Sequence, residues 1–503
     1  MRSCLAALVF LCYLNFEDSA IDHSNKQSPM LRKVRRDARG ARLRLPRRGR
    51  IRAMGIIVLL AVAGSLYLRR PDAGRTSPAD RAKPDETEAA SRAAEQSPEL
   101  AKAATAVRKG TTLVPADVRA LMRRYPPRLT QTADTIHVRG SSLAIHYSID
   151  TALQALARTM LRRYHPKYGA VVALDPETGR TLVLAAYNHP EEPPLARDLY
   201  CRSMFPAASI VKIVTAASAA ENAGLTAGSP LETAGANHTL YRFQLKKELP
   251  RHRAVTLEEA FAYSINPVFG RLGIHYLGAE TMRASLTQFG FGTPVPFDLH
   301  VDEARAAPAD SSFELAELAC GFNQNTRISP LFGALLAAAV SAGGYMPTPA
   351  VVDSIRDLRS GHKRYAFKAR PWRIPMRPQT AAELAKLMRA VARYGTARKS
   401  FVYVKRSGRF TGIEYGGKTG NVDMDGTGRV DWFAGFARHA SDPGQRIAAC
   451  VVTVHGPQWT VHSSFLGAEL MRAYIRNVQI ARERLAADTT SRAATAAHPD
   501  KES

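Results

Sequence analysis

Ser209-Ile-Val-Lys212 places a hydroxyl and an amine three residues apart, at the start of the apolar run Ile213-Val-Thr-Ala-Ala217. Residues three apart share one face of a helix, so Lys212 can reach the Ser209 hydroxyl. A serine hydroxyl is a weak nucleophile and needs a base. A lysine buried at a helix start has its charged form disfavoured by desolvation, so it can accept that proton. First-turn amides add positive potential that favours a developing alkoxide. Nucleophilic catalysis by an activated serine hydroxyl is the chemistry such a pair supports. The pair alone is a weak signal, since Ser-x-x-Lys arises by chance about once or twice in 500 residues. It recurs at Ser360-Gly-His-Lys363, in a polar stretch that reads as a solvated loop.

Two further short elements carry matching chemistry. Ser264-Ile-Asn266 follows Thr256-Leu-Glu-Glu259, a capping-box pattern that starts a helix through Ala262. Pro267 disfavours the α conformation at Asn266, which predicts a helix-ending loop presenting both polar side chains; in isolation the triplet reads as a helix cap. Lys418-Thr-Gly420 ends the run Tyr415-Gly-Gly and occurs once, against a chance expectation of about 0.1 per 500 residues. On an edge strand, with glycine permitting close backbone approach, a lysine and a hydroxyl suit an anionic substrate end.

The elements that must position these residues are legible in outline. Thr151–Tyr164 carries apolar residues at Leu153, Leu156, Met160 and Leu161, an amphipathic helix. Ala170–Leu174 and Thr181–Ala186 flank Asp175-Pro-Glu-Thr-Gly179, a hairpin signal. A long helical middle follows, then strand candidates at Gly412–Lys418, Trp432–Ala437 and Ile447–Val454 and a closing helix, Ser463–Arg484. A strand pair, a helical insertion, three strands and terminal helices predict an α+β domain rather than alternating βαβ units.

Taken in order, Ser-x-x-Lys, Ser-x-Asn and Lys-Thr-Gly, with gaps of 55 and 154 residues, resemble the penicillin-binding protein transpeptidases and their β-lactamase relatives. Tyr168–Gly179 resembles the family's first hairpin. Phe289-Gly-Phe-Gly292, Arg327-Ile-Ser-Pro330 leading to Gly343-Gly344, Tyr394-Gly-Thr396 and Asp431-Trp-Phe-Ala-Gly435 also fall in family order. The resemblance covers roughly residues 149–482. It implies an antiparallel five-stranded sheet flanked by terminal helices, with an all-helical insertion. It also implies that Ser209 attacks the penultimate D-Ala of a peptidoglycan stem peptide and that β-lactams acylate the same residue. By the same resemblance Lys212 is the acylation base, Ser264 relays a proton to the leaving amine, and Asn266 orients Lys212 and the substrate amide. Lys418, Thr419 and Gly420 would bind the terminal carboxylate side. The backbone N–H groups of Ser209 and Asn421 would form the oxyanion hole. Two positions depart from the pattern: Ala208 replaces the glycine common before the serine, and Asn421 stands where many relatives have Thr or Ser.

Charge and hydropathy address topology. The 503 residues hold 70 Lys+Arg against 44 Asp+Glu, a net of +26. Eleven cations and one acid lie between Arg32 and Arg52, directly before the uncharged run Met54–Leu68. That pattern predicts a single-pass signal anchor with the N-terminus inside. The run spans roughly 22 Å as helix, so flanking arginines must snorkel to complete the crossing. Cleavage after Ala63 is a second reading, and the apolar stretch Cys4–Leu14 leaves open whether translation starts at Met1 or Met30. The expected organisation is a basic cytoplasmic segment (1–53), the anchor (54–68), a flexible linker (69–112), a short preface (113–148), the transpeptidase domain (149–487) and a disordered tail (488–503). The domain would face the periplasm or cell exterior beside the cytoplasmic membrane, where an anionic cell wall, cell-wall synthesis proteins and the membrane are the expected partners. Nucleic acid is not, because no nucleic-acid module accompanies the basic head. No His-Glu-x-x-His or phosphate-binding glycine loop is present, so neither metal nor cofactor is expected. Cys201, Cys320 and Cys450 leave at least one thiol unpaired in a monomer. A D,D-carboxypeptidase, a serine β-lactamase, and a non-enzymatic β-lactam sensor or cell-wall scaffold are the alternatives to a D,D-transpeptidase.

Overall fold

The structure is a computed structural model that describes residues 97–249, 251–406, 412–439, 442 and 444–496. The strands of its two larger sheets are, along the chain, Ala133–Val138 (β1), Ser141–Tyr147 (β2), Tyr168–Leu174 (β3), Thr181–Asn188 (β4), Val352–Asp357 (β5), Lys363–Ala366 (β6), Ile413–Met424 (β7), Gly428–His439 (β8) and Arg446–His455 (β9). One sheet runs β7-β8-β9-β3-β4, antiparallel throughout. Its centre is apolar on both faces: β3 is wholly buried, as is β9 after Arg446. Such continuous apolar strands need cover on both sides.

Helices supply that cover. In chain order they are Pro98–Lys109 (α1), Pro115–Arg124 (α2), Thr151–Tyr164 (α3), Lys212–Ala223 (α4), Leu257–Ala262 (α5), Asn266–Arg271 (α6), Gly278–Gln288 (α7), Ser312–Cys320 (α8), Pro330–Ser341 (α9), Pro378–Arg393 (α10), Arg398–Arg406 (α11) and Ser463–Ala496 (α12). The sequence of α9, Pro-Leu-Phe-Gly-Ala-Leu-Leu-Ala-Ala-Ala-Val-Ser, is apolar almost all round, and every residue of it is buried. It packs on β3, β8 and β9, while α3 and α12 pack on the same sheet. The α+β architecture with an antiparallel five-stranded sheet is as expected.

Four details differ from the sequence reading. The insertion is not all helical: Pro230–Thr233 pairs with Arg253–Thr256, and Phe205–Pro206 with Arg327–Ile328. A second sheet, β1-β2-β5-β6, joins the preface to strands from within the 149–487 segment, so residue 149 marks no structural boundary. Long-range pairing of this kind leaves no local sequence signal. The last part of the linker is the helix α1, closed by Gly110 at φ 74° and tied to the second sheet by Arg364, which donates to the Ala106, Val107 and Thr111 carbonyls. Its buried stripe is Ala103, Ala104 and Val107, too weakly apolar to register as a periodic face. Finally, α12 continues to Ala496, past the expected domain end at 487. The predicted anchor at 54–68 lies outside the described residues. Among the described residues no helix is long and apolar enough to cross a membrane.

Candidate active site

Ser209 sits on a 3-10 turn, Ala208–Val211, that runs directly into α4, with Lys212 as the first residue of the helix. Neighbouring backbone fixes this turn. The Trp432 indole donates to Pro206 O at 2.8 Å, and Ala207 N donates to Thr326 O at 2.7 Å. Gly420 lets strand β7 come close, since a Cβ there would lie 3.0 Å from Ser209 N. Ala208 adopts a left-handed φ of 47°, which explains why glycine is common at this position. Ala208→Gly relieves a left-handed cost of about 1–2 kcal/mol against an unfolded-state entropy loss of about 0.4–1 kcal/mol, so it is expected to stabilise the fold by roughly 0.5–1 kcal/mol, a rise of about 1–2 °C in thermal melting, without loss of Ser209 reactivity. A lowered melting temperature would contradict the strain argument.

The capping box closes as predicted: Glu259 N donates to Thr256 Oγ1 at 3.1 Å and Thr256 N to Glu259 Oε2 at 2.9 Å. After α5 the chain turns sharply through Ser264, which has a left-handed φ of 55°. Asn266 is not left on a helix-ending loop. It opens α6, with Ile265 in extended conformation as the N-cap absorbing the restriction that Pro267 imposes. The Asn266 amide is anchored on both sides, N to Asn237 O at 2.7 Å and Nδ2 to His238 O at 3.2 Å. Lys418 lies within β7, the edge strand of its sheet, as expected.

The structure brings these three elements together. Lys212 Nζ lies 2.6 Å from Ser209 Oγ, 2.7 Å from Asn266 Oδ1 and 3.4 Å from Ser264 Oγ. Lys418 Nζ lies 2.9 Å from Ser264 Oγ and 2.7 Å from Thr419 O. The Thr419 hydroxyl meets that of Thr396 at 2.5 Å. Both lysines are fully buried, and each ammonium rests 5.5 Å from an aromatic centroid, Lys212 over Phe269 and Lys418 over Phe261. Burial pulls Lys212 down to about 8 from an ordinary lysine value of 10.5. Lys418 is pulled well down by burial and then by the charge of Lys212. At neutral pH a usable fraction of Lys212 is thus an unprotonated amine against Ser209.

Ser209, Ser264, Asn266, Thr419, Gly420 and Asn421 line one cavity of about 380 Å³. Its walls also include His238, Phe322, Thr396, Asp431, Trp459 and His462. Thr396 and Asp431 fall in stretches the sequence had marked, whereas His238 comes from a loop with no motif. Two other cavities, of about 430 and 530 Å³, hold none of the motif residues. The second Ser-x-x-Lys pattern takes no part: Ser360 and Lys363 are exposed on the second sheet's last hairpin. Cys201, Cys320 and Cys450 are buried and unpaired. Burial pushes all three thiols up, Cys320 to about 11, which makes them unreactive.

Comparison with known proteins gives consistent results. Residues 169–473 match the family described as penicillin binding protein transpeptidase domain. A peptidoglycan D,D-transpeptidase PbpA of Mycobacterium tuberculosis is 28% identical over 349 residues, 62% of this chain and 67% of that protein. The PbpA of Mycolicibacterium smegmatis is 26% identical over the same shares of each chain. Among solved structures, the ceftriaxone acyl-enzyme complex of penicillin-binding protein A from M. tuberculosis superposes with a TM-score of 0.54 at 24% identity, covering 66% of this chain and 79% of that one. The D,D-transpeptidase domain of a peptidoglycan glycosyltransferase from Eggerthella lenta gives 0.56 at 23% identity, covering 71% and 87%. At these identities the two structures establish the fold.

Proposed function

Since this chain belongs to the penicillin-binding protein transpeptidases of the serine acyltransferase superfamily, we propose that it is a peptidoglycan D,D-transpeptidase working through an acyl-enzyme on Ser209. The observation that carries this reading is the position of Lys212 Nζ, within 2.7 Å of both the Ser209 hydroxyl and the Asn266 carbonyl oxygen. Unprotonated Lys212 takes the Ser209 proton as Oγ attacks the carbonyl of the penultimate D-Ala of a stem peptide. Backbone N–H groups of Ser209 and Asn421 receive the developing oxyanion. Ser264, bonded to Lys418 at 2.9 Å, passes a proton to the departing D-Ala amine. Lys418, Thr419 and Gly420 hold the terminal carboxylate of the donor. The amine of a second stem then attacks the ester, releases Ser209 and completes the cross-link. β-Lactams enter the same path by ring opening on Ser209.

The surrounding proposal is topological. The basic head holds residues 1–53 in the cytoplasm, 54–68 anchors the chain, and the remainder works outside the cytoplasmic membrane beside the cell wall and other cell-wall synthesis proteins. The reaction is tested by incubating the full chain with a purified pentapeptide stem donor and a stem acceptor. Release of one D-Ala for each cross-linked dimer formed is the expected product balance. D-Ala release with tetrapeptide alone would assign the chain to the carboxypeptidases, and no release would remove the catalytic reading.

A further inference from the structure

One wall of the catalytic cavity has no part in the mechanism above. Asp431 on β8 stands opposite Asn421 in register, so both side chains lie on the same face of the sheet. It is 4% exposed and is the one carboxylate among the described residues lining the cavity. The carboxylate is held in place: Oδ2 accepts the Ser463 N–H at 2.6 Å at the start of α12, and the Ser463 hydroxyl donates back to Asp431 O at 2.7 Å. Beside it the Trp459 indole stands edge-on to His462 at 4.4 Å, and both rings line the same cavity.

The charge of this wall is incomplete. His462 Nδ1 lies 4.0 Å from Asp431 Oδ2, but burial first, and then Lys399, push the imidazole toward its neutral form. Burial correspondingly pushes the Asp431 carboxyl up to about 7. A buried carboxylate facing a cavity without a full counter-charge is costly, and a cation brought by a ligand removes that cost. A ligand carboxylate at the same place would be repelled.

We propose that Asp431, flanked by Trp459 and His462, is a subsite for a primary ammonium group of the peptide substrate, an inference that rests on the stem-peptide reading above. Two parts of a stem peptide carry such a group: a side-chain amine of the donor and the amine of the incoming acceptor. The chemistry recognised is the same in both. Asp431 acts here by binding and positioning, with no step of bond making assigned to it.

The test compares the wild type with Asp431→Asn, which keeps an acceptor for the Ser463 N–H but removes the charge. Each protein is given a pentapeptide donor with a free side-chain amine and the same donor N-acetylated, and kcat/KM is measured without acceptor. Separately, the ratio of transfer to hydrolysis is measured with an amine acceptor. Wild type is expected to prefer the free-amine donor by about tenfold or more, and the variant to fall within about twofold of no preference; that places the donor side chain at Asp431. An unchanged donor preference with a tenfold lower transfer ratio places the acceptor there instead. If neither ratio moves, the proposal is overturned. Each ratio is internal to one protein, so general loss of activity cancels, and Asp431→Ser serves as a second variant should the first melt early. Failure of the underlying reading looks different, because wild type would then consume neither donor, or would give tetrapeptide alone even with the acceptor present.

Discussion

Replacing Lys212 by methionine should slow acylation of Ser209 by about 10³-fold, within the range that removal of a positioned general base produces. Methionine fills a similar buried volume but cannot accept the Ser209 proton. It also removes the donor that Asn266 Oδ1 meets at 2.7 Å. Stopped-flow acylation by a chromogenic cephalosporin measures the effect. On the proposed mechanism the wild-type base is the unprotonated amine, so the acylation rate should climb with pH and level off above about 8, where Lys212 titrates. The variant should show no inflection there. A drop of less than tenfold, or an inflection kept in the variant, would shift the role of base to Lys418.

The same substitution has a stability consequence of opposite sign. Between about pH 8 and 10.5 the unfolded chain holds a proton on Lys212 that the folded chain has released. Stability therefore rises with pH across that window, and below it the full cost of burying the ammonium is present. The shift from 10.5 to about 8 corresponds to a cost on the order of 3 kcal/mol. Removing it offsets the hydrogen bonds lost to Ser209 and Asn266, so Lys212→Met should melt no lower than wild type at pH 7. A protein inactivated by misfolding would melt early instead.

How far the sequence carried this picture depended on whether a feature was local. The Ser209–Lys212 pair, the Thr256–Glu259 capping box and the strands around Lys418 are set by residues a few positions apart, and spacing alone indicates their geometry. The meeting of Lys418 with Ser264 spans 154 residues; family order suggested it, and periodicity could not. The second sheet was missed because β2 finds its partner, β5, about 200 residues later. The helix α1 was missed because its buried face is mostly alanine. The cavity wall of His238, Trp459 and His462 had no motif to mark it. The strain at Ala208 and Ser264 is likewise a property of tertiary placement, since neither residue type asks for a left-handed backbone.

Ser209 as the acylated nucleophile is the claim on which the rest depends. Attack on a β-lactam breaks the ring C–N bond, forms an ester to Oγ and transfers the serine proton to the ring nitrogen, so nothing is lost from the ligand. Intact-mass spectrometry of the full chain after incubation with benzylpenicillin should therefore show one added mass equal to the whole ligand. Peptide mapping should place it on Ser209, and Ser209→Ala should add no mass under the same conditions. An adduct that persists in Ser209→Ala, or wild-type protein that gains no mass, would contradict the account.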